Sequence, residues 1–204
     1  MSVFTGILPK SDTVMNNKLN SKDKLIQAMA KLLLEKGLAN TSPRDILSES
    51  NVGQGSLYHH FKGKEELALY AIRFNCDKLI NVSQNVVEKE SSAFNQLTAL
   101  LLKTRDIDRG CLVGQMARDR RIMEDPKLAP EVTRGFEWMK RTIEKLLKTG
   151  IAEGSISPRL APLEGTILIM SALQGAYITA KGLQDETYFH LSISALLKTF
   201  SPDE

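Results

Sequence analysis

Thr41-Ser-Pro-Arg-Asp-Ile-Leu-Ser-Glu-Ser-Asn-Val-Gly-Gln-Gly-Ser-Leu-Tyr-His-His-Phe-Lys-Gly-Lys-Glu-Glu-Leu67 is the stretch that decides the fold of this chain. Ser42 is a good helix N-cap, Pro43 suits the first turn, and Asp45 falls three residues after the cap. That helix ends near Ser50, where Asn51 can take the left-handed turn conformation. A short helix follows over about Gln54 to Phe61, and Gly63 breaks it. Lys64 then opens a long helix carrying Leu67, Tyr70, Ala71, Phe74, Leu79 and Ile80. Two short helices joined by a tight turn form a helix-turn-helix, which presents its second helix to the DNA major groove.

Outward from this stretch, nearly everything after Asn20 reads as helix, and no strand alternation bounded by hairpin turns occurs. The fold class is all-α. Leu25, Met29, Leu32 and Leu33 recur at helical spacing over about Ser21 to Lys36, and Gly37 stops that helix. Residues 1–18 read as a flexible arm, 19–79 as a DNA-binding domain with its helix-turn-helix at 42–61, and 80–204 as a helical sensing and dimerisation domain. In that second part helices cover about 92–104, 110–124, 127–153, 160–182 and 185–200, with a forced turn at Asp125-Pro126. The 160–182 segment is apolar on almost every face and must be buried on both sides. Gly165, Ser171, Ala172, Gly175 and Ala176 would let another helix approach it closely. Two readings fit: burial within one protomer, or a homodimer built through 160–182 and 185–200.

The chain has 204 residues, of which 42% are hydrophobic and 25% charged, an ordinary globular composition. No apolar run reaches the roughly 18 residues that a membrane span needs, so no membrane partner is expected. Met1 to Asn20 lacks the pattern of a signal peptide. Two cysteines, Cys76 and Cys111, are too few for a disulfide framework, which points to a reducing cytoplasm. Residues 1–80 carry 11 Lys/Arg against 8 Asp/Glu, and the remainder carries 16 of each. The whole excess of +3 therefore lies in the part with the helix-turn-helix, a weak electrostatic footprint for nucleic acid.

Ser56-Leu57-Tyr58-His59-His60-Phe61-Lys62-Gly63-Lys64-Glu65-Glu66-Leu67 resembles the DNA-binding domain of the TetR family of bacterial transcriptional regulators. The likeness covers about residues 19–79 in motif and the whole chain in architecture. The turn Ser50-Asn51-Val52-Gly53 stands where the family usually shows Ala-Gly-Val-Ser, Gly53 is a slightly weaker cap than Ser, and Leu47 replaces a commonly small residue. The resemblance implies a dimeric regulator, most simply a repressor of a near-palindromic operator, released when an effector binds the C-terminal helices.

Residue chemistry assigns contacts within the motif. Gln54 begins the short helix, where it can pair with adenine in bidentate fashion, and Arg44 can grip guanine or a phosphate. Ser42 and Ser56 can offer hydroxyls to phosphate near helix N-termini. Gly55 leaves room for close backbone approach, Tyr58 carries a hydroxyl on a rigid ring, and His59 projects toward the groove. Lys64 is placed to bind phosphate, and Lys62 can help. Leu57 and Phe61 are core. His60 is ambiguous, and either histidine could be a plain exposed residue. Adjacent histidines point about 100° apart on a helix, which makes a poor metal pair.

An effector pocket would lie among the helices of the second part, with Phe74, Phe94, Leu101, Met116, Phe136, Met139 and Tyr177 as candidate lining. Each is equally a core residue, and the apolar set points to an uncharged or aromatic effector. Cys111 begins a helix in Arg109-Gly110-Cys111-Leu112-Val113-Gly114, where the helix N-terminus, Arg105 and Arg109 would favour the thiolate. The opposing reading is an inert buried thiol. Gly110-Cys111-Leu112 and Ala176-Tyr-Ile-Thr-Ala-Lys-Gly182 resemble NemR-type members of the family, which respond to electrophiles and oxidants. That likeness puts Cys111 on the sensing cysteine and Lys181 on a lysine near it. Cys76 reads as structural.

No phosphate-binding glycine loop, metal-ligand cluster or nucleophile motif appears, so neither an enzyme nor a cofactor or metal is expected. The remaining competitor is a helical dimeric adaptor or ligand-binding protein without DNA binding, against which the Arg44, Gln54, Tyr58 and Lys64 set argues.

Overall fold

The computed structural model describes residues 19–103 and 106–202, and over these it is helical throughout. The expected arm at 1–18 and the Arg105 side chain lie outside the described residues. In chain order the helices are α1 (Ser21–Glu35), α2 (Pro43–Ser50), α3 (Gln54–His60), α4 (Lys64–Val87), α5 (Ala93–Leu102), α6 (Leu112–Ala117), α7 (Arg120–Met123), α8 (Ala129–Ala152), α9 (Pro162–Leu183) and α10 (Thr187–Lys198).

Helices α1–α3 and the first half of α4 make one end of the molecule. Leu25, Met29, Ile46, Leu57, Phe61 and Leu67 are each sealed from solvent there, so α3 is held from beneath by its own Leu57 and by Phe61 at its C-cap. Gly37 ends α1 with φ +74°, a conformation that an L side chain adopts only under strain. Asn51 closes the turn between α2 and α3 with φ 51°. The sequence places a domain boundary after residue 79, yet α4 runs unbroken from Lys64 to Val87. It packs on α1 at one end and on α5, α6 and α8 further along.

One stretch departs from the sequence reading. The single helix expected over 110–124 is broken into α6 and α7. Asp119 makes the break, because its carboxylate accepts the Arg121 N–H at 3.0 Å and starts a new helix there. The apolar α9, for which the sequence leaves burial in one protomer or in a homodimer open, has two unlike faces. Its inner face, with Ile169, Leu173, Ala176 and Tyr177, packs on α8 and α10. Leu163, Ile167, Leu168, Ile178 and Leu183 stand exposed on α9, and Tyr188 and Leu191 on α10. Gly165 faces inward against Leu147 and Phe200, while nothing lies near Gly175.

Candidate nucleic-acid interface and sensor cavity

The start of α2 is a closed capping box. Ser42 Oγ accepts the Asp45 N–H at 3.2 Å, and Asp45 Oδ2 accepts from the Ser42 backbone at 2.8 Å and from its hydroxyl at 2.6 Å. Asp45 Oδ1 takes the Lys36 ammonium at 2.8 Å. The Lys36 ammonium, and then the Ser42 donors, hold the Asp45 carboxyl well below the usual carboxylate range. The Ser42 hydroxyl is thereby bonded within the protein, to the Asp45 carboxylate.

On α3 the division between support and display is clean. Leu57 and Phe61 are buried, and the Phe61 ring meets Tyr70 edge-on at 5.6 Å. Gln54, Gly55, Tyr58 and His59 are exposed, and Ser56 is half-buried. Gln54 and Tyr58 are four residues apart, as are Gly55 and His59, so each pair shares a strip of the helix surface. Arg44 on α2 and Lys62 after α3 are also exposed. His60 turns away: its Nε2 lies 2.9 Å from the Ser21 hydroxyl at the head of α1, which makes it a tie between helices. Lys64 is likewise bonded within the protein. Its ammonium donates to the Leu38 and Thr41 carbonyls, both at 3.0 Å, and so braces the α1–α2 loop from inside.

The second half holds two adjoining cavities of about 210 and 230 Å³ that share Gly110, Cys111 and Tyr177. Leu101, Met139, Ile143 and Leu173 wall the first. Phe136, Gln174 and Lys181 wall the second, so Cys111 and Lys181 face one space. Cys111 is the N-cap of α6 and is buried. Arg109 also lines the first cavity, but its guanidinium is shared with Asp106 at 3.5 Å and Glu35 at 3.8 Å. Phe74 and Phe94 pack against the core, and Met116 is fully buried; none of the three lines either cavity. Lys78, Ser83, Lys103 and Gln174 do line them, and no local sequence signal marks those four. Cys76 is of another kind. It is sealed in the core, its Sγ donates to the Glu131 carbonyl at 3.2 Å, and burial pushes its thiol up to about 11.

Residues 21–71 match the bacterial regulatory proteins of the tetR family, and residues 92–196 match the tetracyclin repressor-like C-terminal domain. The chain belongs to the TetR family. It is 30% identical over 142 residues to the HTH-type transcriptional repressor KstR2 of Mycolicibacterium smegmatis, covering 68% of this chain and 69% of that one. Its fold is similar to a TetR transcriptional regulator from Chloroflexus aurantiacus, with TM-score 0.78, 23% identity, and 90% and 97% of the two chains covered. It is similar also to E. coli NemR in its reduced form, with TM-score 0.79, 15% identity, and 90% and 98% covered. As a TetR-family member the chain is a DNA-binding transcriptional regulator and not an enzyme. Among the described residues no helix is long and apolar enough to cross a membrane.

In this TetR-family chain the segment between cavity and reading helices is tied at both ends to the tail of α1. Ahead of α6, Arg109 pairs with Glu35. After α6, Asp119 Oδ2 accepts the Leu38 N–H at 2.5 Å, and Gly37 lies so close to that oxygen that a Cβ there would stand 2.8 Å from it. Leu38 is also one of the two carbonyls that Lys64 braces. α6 and the loop that carries α2 are thus joined by direct contacts.

Proposed function

We propose that this chain is a cytoplasmic homodimeric repressor whose two α3 helices read successive major grooves of a near-palindromic operator. The observation that carries the reading is the split on α3: Leu57 and Phe61 are locked into the core while Gln54, Gly55, Tyr58 and His59 are displayed. A rigid helix with a free polar strip is what base readout requires. The exposed apolar side chains of α9 and α10 support the dimer, because Ile167 and Leu191 are 49% and 62% exposed on neighbouring helices. A contiguous patch of this kind marks an interaction surface, and a two-fold dimer covers it with its own copy.

Release is proposed to begin at Cys111. Conjugate addition of its sulfur to the β-carbon of an activated alkene forms the C–S bond, breaks the C=C π bond and returns the thiol proton to the adjacent carbon, and so places a new group in the cavity beside Lys181 and Tyr177. That group alters the packing of α6 and biases the molecule toward the state that does not fit the operator. Fluorescence anisotropy on a labelled fragment from upstream of the chain's own gene tests the DNA-reading half of this proposal. Saturable binding of two protomers per site, lost on a scrambled fragment, is the expected result. Equal binding to both fragments contradicts it.

A further inference from the structure

The wall of the first cavity is apolar, but its solvent side is not. Lys78 on α4, Lys103 at the end of α5 and Arg109 before α6 all line it, with Asp106 as the sole acid among the described lining residues. Lys78 and Arg109 are exposed and Lys103 is half-buried. Leu101, Met139, Ile143 and Leu173, on the opposite side, are each sealed from solvent. Lys103 is fixed in place, for its ammonium donates to the hydroxyl of Ser83, a buried residue on α4 that lines the same cavity. Among the described residues the cavity thus has an oily interior and a mouth carrying Lys78, Lys103 and Arg109, of which Arg109 is balanced by Asp106 and Glu35, so the two lysines supply the positive excess. Such a mouth repels cations, and for a neutral ligand it costs nothing and offers little. A ligand anion answers it with charge-assisted hydrogen bonds, which are roughly twice as strong as neutral ones.

We infer that the first cavity takes an amphipathic anion: a carboxylate held at the mouth by Lys78 and Lys103, beside an Arg109 already paired with Asp106 and Glu35, with a short alkyl or aryl tail laid on Leu101, Met139, Ile143 and Leu173. Size sets the tail. A 150 Å³ apolar cavity holds benzene, so 210 Å³ accommodates a tail of about eight carbons on the same scale. This narrows the uncharged or aromatic effector expected from the sequence, because the apolar composition that suggested it describes the walls and not the mouth. The inference rests on the reading of the C-terminal helices as the effector-binding part of the chain, and places a ligand in the cavity next to the one proposed for Cys111 chemistry. It requires no chemistry at Cys111, and the two signals would enter through adjoining spaces.

The test compares octanoate with 1-octanol on the full-length dimer by isothermal titration calorimetry, followed by operator anisotropy with each compound present. Octanoate is expected to bind at least about tenfold more tightly than the alcohol, the equivalent of one charge-assisted contact. That preference should fall as salt rises. Lys103→Met and Lys78→Gln should each reduce the preference while leaving 1-octanol affinity unchanged; Lys78 is exposed, so its variant serves if the Lys103 variant fails to fold. Equal affinity for the two compounds, tighter binding of the alcohol, or no binding of either would overturn the inference. Octanoate binding that leaves operator affinity intact upholds the ligand class and overturns the release reading instead.

Discussion

The reading end and the sensor cavity differ in how far apart in sequence their parts lie. Ser42, Asp45, Asn51, Leu57 and Phe61 all lie within one stretch of twenty residues, 42–61: cap, box, left-handed turn, core anchors. The first cavity draws on α4, α5, α6, α8 and α9, with lining residues from Lys78 to Tyr177. At the reading end the polar groups that matter are aimed outward by local helix geometry. In the cavity they are aimed inward by how five helices happen to pack. The two regions therefore respond to different kinds of substitution, local ones at the reading end and packing ones at the cavity.

The largest effect that would break the stiff end is expected for Phe61→Ala. Phe61 is 2% exposed, and truncating a buried Phe costs about 3–5 kcal/mol. Urea unfolding should show a loss in that range, with operator binding abolished. If α3 read DNA without that anchor, the separation of support from display would be wrong. Gln54→Ala should do the reverse. Its side chain is exposed, so unfolding should be unchanged while operator affinity falls by about 1–3 kcal/mol, the worth of one good bidentate base contact. The loss should be concentrated at one base position in a panel of operator variants.

Lys64 and Arg44 sharpen the comparison, since the sequence gives both to DNA, while the Lys64 ammonium donates to two backbone carbonyls and Arg44 stands exposed. Arg44→Gln should weaken binding and lower the salt slope by about one. Lys64→Met should leave the slope unchanged and instead lower stability by about 1–3 kcal/mol, the cost of carbonyls left unpaired. A salt titration of both variants decides between the assignments.

The capping box gives the smallest effect and a defined sign. The Asp45 carboxyl is held below its ordinary value by Lys36 and Ser42. Its contribution to stability is therefore fully present above about pH 4, the ordinary Asp value, and is lost as pH falls through the lower folded-state value. In Asp45→Asn that part of the acid limb should disappear, leaving a shallower loss of stability below pH 4 than in the wild-type chain. An identical acid limb in both proteins would show that the Lys36–Asp45 pair carries no stability.

What was legible in the sequence follows the same divide. The cap at Ser42, the turn at Asn51 and the stops at Gly37 and Gly63 are short-range rules, and the helices begin and end within a few residues of where those rules put them. Asp119 was not legible as a helix start. Its carboxylate serves two distant ends at once, the Arg121 amide and the Leu38 amide, and the second partner lies 81 residues away. The two carbonyl bonds of Lys64 were not legible either, because a lysine at the head of a helix looks alike whether its ammonium meets phosphate or a carbonyl of its own domain. Cys111 and Lys181 were placed together by resemblance, and they do line one cavity. Lys78, Lys103 and Ser83 were invisible because only the packing of α4 against α5 gives them a common purpose.

The account stands most directly on whether a change at the cavity reaches the reading helices. The measurement is operator anisotropy of the wild-type chain and of Cys111→Ser, each with and without the thiol-reactive electrophile N-ethylmaleimide. The account predicts that the electrophile releases wild-type protein from the operator and leaves Cys111→Ser bound, with Cys76 silent in both because it is buried and its thiol is pushed up to about 11. Release of Cys111→Ser to the same extent as wild type, or no release of either, would contradict it.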